Sequence, residues 1–225
     1  MQKVFISRNL KLDSIFKQLL ENENFEVYGA SLIEFKPVNF KIPNKPDWLF
    51  FYSKNGVRFF IEKVGLDYFK NVKIGVIGEG TATYLKTKNL IPDFIGTGEP
   101  KETAWQFSKV VKRSNVLFLR AKTSRKSVQS LLNDSIEIRD LVVYENVPKK
   151  NVEIGLFDLL VFTSPMNVEA YFEDRQIVDN QQVIAIGETT GKALKKLNIQ
   201  NFIIAKQPSE MGLAEAILSN NDYDI

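Results

Sequence analysis

The chain contains no cysteine and no histidine. The first absence excludes disulfides, a thiol nucleophile and thiolate metal sites. The second removes the commonest general base, the serine–histidine triads and most zinc sites. Any catalysis then falls to Tyr, Asp/Glu, Lys, Arg, Ser/Thr or backbone dipoles. A dominant charge is missing too: 30 Lys and Arg against 27 Asp and Glu leave +3 at pH 7. That is too little to argue for nucleic acid and would suit an acidic small molecule. No apolar run approaches the roughly 18 residues of a membrane span. Met1 leads directly into MQKVFISR, with no basic-then-apolar signal. The expectation is a cytosolic protein that engages neither nucleic acid nor membrane.

What the chain does have is an internal repeat. FDLLVFTSPMNVEAYF, Phe157 to Phe172, runs from an apolar strand through a small polar turn into a helix, and DWLFFYSKNGVRFFI, Asp47 to Ile61, does the same. At an offset of 111 residues Asp158 answers Asp47, Ser164 answers Ser53 and Val168 answers Val57. Pro148 answers Pro37 at the same offset, Gly187 answers Gly78 at 109, and Arg120 answers Arg8 at 112. A chain of 225 residues, 44% hydrophobic and 25% charged, suits two globular halves of this size.

Apolar runs and helical spacing alternate within each half. Strands are expected at 4–7, 25–28, 48–52, 73–77, 116–119, 159–162 and 183–186. Helices are expected at 56–64, 82–88, 102–112, 167–172 and 191–197, with one more through Val128, Leu131 and Leu132. Ser209 caps a last helix, and residues 220–225 read as a frayed tail. Strands separated by helices imply an α/β protein of two similar lobes, each a parallel sheet covered by helices on both faces. The two extended, proline-terminated segments LIEFKPV and LVVYENVP read as a two-stranded crossover ladder. The first lobe is then 1–36 plus 149–225, and 37–148 is inserted as the second.

In open α/β sheets, ligands sit beyond the carboxyl ends of the strands. The polar turns fall there: Arg8, Ser53 to Asn55, Gly78 to Thr81, Arg120, Ser164 to Asn167 and Gly187 to Thr190. Several open a helix, whose free N–H groups and positive dipole end attract anions. Each taken alone is also an ordinary helix cap; together they suggest a cleft lined with anion-binding groups. Gly78-Glu79-Gly80-Thr81 is neither a phosphate-binding P-loop, lacking Gly-Lys-Ser/Thr, nor a dinucleotide fingerprint, since Thr83 takes the third glycine's place. The basic run Arg120 to Lys126 reads either as a ligand for carboxylates or phosphates or as a solvated loop with a helix start. Tyr144 is set apart because its repeat partner at offset 111 is Ile33, while its neighbours Glu145 and Pro148 match Glu34 and Pro37. It is either a proton donor or a ring packed on the ladder.

Taken in order, Ser7-Arg8, FYSKNGV (51–57), IGEGTA (77–82), LFLRA (117–121), VVYENVP (142–148), FTSPMNV (162–168), IGETTGKAL (186–194) and PSEMGLAEAI (208–217) make a chain that resembles the uroporphyrinogen-III synthase family along nearly its whole length. The resemblance implies two α/β lobes, one inserted in the other. It implies an enzyme of heme or siroheme biosynthesis, a lyase without cofactor or metal. Its substrate would be hydroxymethylbilane, closed to uroporphyrinogen III with loss of water and inversion of the last pyrrole ring through a spiro intermediate. By position, Tyr144 matches the tyrosine that assists departure of the terminal hydroxyl. Thr81 and Thr190 match the rim threonines, and Ser53 and Ser164 the turn serines. Arg8, Asn55, Gly80, Arg120, Asn167 and Thr189 complete the expected substrate-binding set. The resemblance also implies a monomer, and allows transient contact with the preceding pathway enzyme. Two departures stand out: Tyr52 where the family more often has Thr, and Met166-Asn167 where it has Ser-Gly. The rival expectation is a non-catalytic two-lobed binder or sensor of a polyanionic metabolite.

Overall fold

The computed structural model describes residues 1–133, 135–150 and 152–221. In chain order, β1 (Lys3–Ile6), α1 (Ile15–Asn22), β2 (Glu26–Gly29) and β3 (Ile33–Pro37) lead to β4 (Trp48–Phe51) and α2 (Lys54–Val64). Next come β5 (Lys73–Val76), α3 (Glu79–Lys86), β6 (Phe94–Ile95), α4 (Pro100–Val110), β7 (Asn115–Ala121) and β8 (Glu137–Pro148). The chain then adds β9 (Leu159–Phe162), α5 (Pro165–Phe172), β10 (Gln182–Ala185), α6 (Glu188–Lys196), β11 (Ile203–Ile204) and α7 (Glu210–Asn221).

Two compact units result, Met1–Glu34 with Val147–Ile225, and Phe35–Asn146. The first holds a sheet in the order β11-β10-β9-β1-β2, all parallel. Because side chains alternate along a strand, each strand feeds two cores. Val4 and Ile6 of β1 join Leu159 and Val161 of β9 on one face, under α1 and α7. Phe5, Leu160 and Phe162 pack on the other face with Val168 and Tyr171 of α5 and Leu194 of α6. In the second unit, the sheet β3-β8-β7-β4-β5-β6 is split the same way. Leu49 and Phe51 of β4 face α2 and α3, whereas Trp48 and Phe50 face Phe107 of α4.

The repeat extends to hydrogen bonds. The Asp158 carboxylate accepts the Lys3 N–H at 2.7 Å, and the Asp47 carboxylate accepts the Asn115 N–H at 2.7 Å. Each aspartate fastens the start of its strand to the neighbouring one. β3 and β8 form the ladder by which the chain leaves the first unit and returns. Val38 N–H donates to Val143 C=O at 3.1 Å and Lys149 N–H to Leu32 C=O at 2.7 Å, a register that rises on one strand as it falls on the other. The pair is therefore antiparallel. The division between units falls at Glu34/Phe35 and Asn146/Val147, inside the ladder and two residues before each expected boundary.

Some local expectations need correction. No α-helix forms through Val128, Leu131 and Leu132; a single 3-10 turn, Gln129–Leu131, stands there. Val128 is buried while Leu131 is 51% exposed, so the three apolar residues do not share a face, and the Asn133 side chain, accepting from Ser135, turns the backbone away. β8 starts at Glu137 rather than 141, because its first half is the parallel neighbour of β7 and only its second half meets β3. A 3-10 turn at Leu66–Phe69 was not foreshadowed by any periodic pattern. α7 runs to Asn221, beyond the start of the expected tail, whose residues 222–225 lie outside the described residues. Helices α2, α3, α5 and α6 begin earlier than their apolar periodicity suggests, so the polar turns are their first helical turns.

Candidate functional site

That early start decides what each candidate residue can do. Ser53 and Ser164 are N-caps with nearly the same backbone, φ −162°, ψ 159° and φ −164°, ψ 155°. Each hydroxyl accepts the N–H three residues on, Gly56 at 3.2 Å and Asn167 at 3.3 Å, satisfying one of the orphan donors of a helix start. α3 and α6 instead start on Gly78 and Gly187, with no side-chain cap. The N–H groups of Glu79 and Gly80, and of Glu188 and Thr189, bond to no described residue. Nothing lies within 4 Å of where a Cβ would stand on Gly80 or Gly187. Open helix starts of this kind bind anions. Thr81 and Thr190 follow at the third helical position, 6% and 2% exposed. Acidic residues occupy the first position of both helices, and Glu79 is drawn to Lys86 at 3.3 Å.

Tyr144 lies on β8 in the inserted unit, 6% exposed. Its ring stacks on Phe59 of α2 (centroids 5.6 Å apart, planes at 20°) and meets the edge of Phe35 at 6.0 Å. Its hydroxyl is 2.9 Å from the Ser53 Oγ. Burial pushes the phenol's pKa above its usual value, and the Ser53 hydrogen bond pulls the other way. The phenol thus keeps its proton at physiological pH. Asn55, half-buried in the first turn of α2, is on the same helix start.

Other candidates are occupied within their own unit. Arg120 Nε meets the Asp140 carboxylate at 2.7 Å, and its Nη1 donates to the Ala121 and Lys122 carbonyls at 3.0 and 3.3 Å. Lys126 reaches the same carboxylate oxygen at 2.8 Å, and Lys122 pairs with Glu145 at 2.8 Å. Burial alone would raise Asp140, but its bonds to Lys126 and Arg120 outweigh burial and hold it below the usual value. Much of the basic run is therefore internal charge pairing. Arg8 lies 3.8 Å from Glu210, whose carboxylate also accepts from Ser14 Oγ at 2.8 Å. Asn167 is 7% exposed; it accepts from Leu32 N–H at 2.8 Å and donates to Ser164 Oγ at 2.9 Å. The structure thus brings Tyr144 and Ser53 together, and keeps Arg8, Arg120, Ser164 and Asn167 on partners of their own.

Sequence reasoning missed Tyr52 as more than a departure. Its hydroxyl accepts the Gln129 N–H at 3.1 Å and lies 3.5 Å from Gln129 Oε1, pinning the 3-10 turn to β4. A depression of about 780 Å³ lies elsewhere, among residues 172–181 and 197–201 at the amino ends of β10 and β11. Among the described residues no group of three or more acidic, His or Cys side chains could hold a metal, and no helix is long and apolar enough to cross a membrane.

A parallel α/β unit present twice, with candidate residues at strand ends and one phenol unique to the inserted copy, defines the class: a duplicated α/β protein with a histidine-free site. Compared with known proteins, residues 14–215 match the family described as uroporphyrinogen-III synthase HemD, and the chain belongs to that family. It is 26% identical to the uroporphyrinogen-III synthase of Chlorobaculum parvum, over 96% of this chain and 98% of that one. Among solved structures it is similar to the uroporphyrinogen-III synthetase of Helicobacter pylori, at 24% identity with a TM-score of 0.71, covering 98% of this chain and all (100%) of the other. A mutant uroporphyrinogen III synthase of Thermus thermophilus shares the fold at 18% identity and a TM-score of 0.52, over 99% of this chain and 98% of that one.

Proposed function

We propose that this chain is a uroporphyrinogen-III synthase of tetrapyrrole biosynthesis, a lyase that closes hydroxymethylbilane to uroporphyrinogen III with loss of water and inversion of the terminal ring. Family membership supports the reaction; the Tyr144 phenol, buried, neutral and 2.9 Å from Ser53, is the observation that carries the site. In the loss of water, the phenol gives its proton to the departing hydroxyl. The C–O bond breaks with its electron pair on oxygen, and the proton released on ring closure restores the phenol. A positioned acid of this kind contributes about 10²–10⁴-fold.

The substrate carries eight carboxylates by the family resemblance. We assign contacts to them to the uncapped helix starts at Gly80 with Thr81 and at Thr189 with Thr190, and to Asn55. Arg120, paired with Asp140, and Asn167, bonded to Leu32 and Ser164, shape the rims rather than hold the ligand, while Arg8, only 3.8 Å from Glu210, and Ser164 stay among the assigned contacts. Because closure without inversion proceeds spontaneously, the protein's task is mainly to hold the chain in the geometry that favours the spiro route. The enzyme is expected to work as a monomer in the cytoplasm, as suits a biosynthetic family.

The test mixes purified protein with enzymatically generated hydroxymethylbilane and resolves the isomers after oxidation. Type III product rising with protein concentration is expected. Type I product alone at every protein concentration rejects the synthase reading and favours the non-catalytic binder. Tyr144→Phe is expected to lower turnover with the thermal unfolding midpoint little changed, as its ring contacts remain; unaltered turnover removes the role assigned to the phenol.

A further inference from the structure

The two units carry the same serine at the same helix start, and use it differently. In the first unit the Ser164 hydroxyl takes two donors from Asn167, the backbone N–H at 3.3 Å and the side-chain amide at 2.9 Å. At the repeat offset of 111, Asn167 corresponds to Gly56 and Ile33 to Tyr144. In the inserted unit, therefore, the amide that would occupy the serine is missing, and a phenol stands 2.9 Å away in its place. Gly56 still donates its N–H to Ser53 at 3.2 Å.

A serine hydroxyl has one proton and two lone pairs. With a lone pair of Ser53 taken by the Gly56 N–H, its proton is available to the phenolic oxygen. We infer that Ser53 is a positioning residue for Tyr144 rather than a carboxylate ligand: its hydroxyl donates to the phenolic oxygen and thereby turns the phenol's own proton toward the reacting group. This inference rests on the assignment of Tyr144 as the proton donor. The direction of donation matters. A phenol that donated to Ser53 would have its only proton occupied; a phenol that accepts from Ser53 keeps it for the substrate. The same bond also stabilises the phenolate left after transfer, through a line of donors running from the α2 amide to Ser53 to Tyr144. The ring leaves little alternative geometry, held by Phe59 on its face and Phe35 at its edge.

The experiment compares Ser53→Ala, Ser53→Thr and Gly56→Asn, with Tyr144→Phe and the Ser53→Ala/Tyr144→Phe double variant, in the full chain. Initial rates with hydroxymethylbilane are recorded across pH, and Tyr144 ionisation is followed as the tyrosinate absorbance that disappears in the Tyr144→Phe background. Loss of one neutral hydrogen bond is expected to lower kcat on the order of five- to tenfold, with KM little changed. Because the Ser53 bond lowers the phenol's pKa, Ser53→Ala should move both the tyrosinate titration and the alkaline limb of the rate profile to higher pH. Ser53→Thr should restore the profile. Gly56→Asn, which installs the first unit's competing amide where a Cβ meets only ordinary contacts of 3.4 Å and more, should weaken turnover without removing the serine.

In the Tyr144→Phe background, Ser53→Ala should cost nothing further. An equal loss in that background, or a rise in KM alone, overturns the inference, and so does a rate profile that stays in place while the titration moves. If Ser53→Ala fails to fold, Gly56→Asn decides alone: an unmoved titration overturns the inference. Type I product alone from the unaltered protein defeats the synthase reading instead, and the titration then still reports whether the Ser53–Tyr144 bond exists.

Discussion

Asn167 uses both ends of its amide inside the first unit, toward Leu32 and toward Ser164, while almost wholly buried. Asn167→Leu keeps the branching at Cγ but leaves the Leu32 N–H without an acceptor. A buried donor left unsatisfied costs about 1–3 kcal/mol, and the urea midpoint should fall accordingly, whereas Asn167→Asp, which keeps an acceptor oxygen, should fall less. In the sequence Asn167 stood out as a departure from a family pattern and as the end of a polar turn, and Tyr52 only as such a departure. Their partners, Leu32 at 135 positions away and Gln129 at 77, are set by how strands assemble, which no local pattern encodes. Arg120 illustrates the same limit. Its charge suggested a ligand for acids, but the β7–β8 pairing brings Asp140 beside it. Tyr144 stands out in the sequence because the repeat supplies a comparison, an isoleucine at the matching place; its bond to Ser53 does not, because ladder and helix start meet only in the fold.

Among the helices, α2 and α5 start on a serine cap while α3 and α6 start on glycine with none, and the ligand contacts proposed above lie mainly at the latter. Gly187 is extended (φ 178°) and has open space beside it, so an aspartate fits there without strain. Gly187→Asp would cap α6 and should stabilise by a few tenths of a kcal/mol, the usual gap between glycine and a good N-cap. The same carboxylate would occupy the amides assigned to the substrate, so KM should rise while the unfolding midpoint does not fall. A fall in the midpoint, or an unchanged KM, would count against the assignment. Periodicity located these helices but misplaced their beginnings, because a first turn is defined by backbone bonding while its side chains are still polar. The reverse error occurred at Gln129–Leu131, where apolar spacing suggested a helix and a pinned turn stands instead.

For the molecule as a whole, the phenols set an alkaline limit. Burial raises the pKa of Tyr52, Tyr68, Tyr144 and Tyr171, the first three of which lie in the inserted unit. Unfolded tyrosines release their protons near pH 10, so above that the unfolded chain binds fewer protons than the native one and stability falls as pH rises. Denaturant midpoints should hold steady from pH 7 to about 9 and drop from about 10 upward, with the inserted unit losing structure first. The duplicated architecture was readable from the offsets alone, since a repeated pattern survives where single elements blur.

The pairing of β1 with β9, Val4 beside Leu159 and Ile6 beside Val161, has a consequence for how the protein is made. The two strands are separated in the chain by the entire inserted unit, and β1 sits between β9 and β2 in its sheet. On a ribosome, β1, α1 and β2 emerge ahead of β9 and must wait, one edge of β1 unpaired, while residues 35–146 are translated and become free to fold as a contiguous piece. Because α1 packs on the face of the sheet, that edge stays a template for pairing with another chain until β9 arrives to cover it.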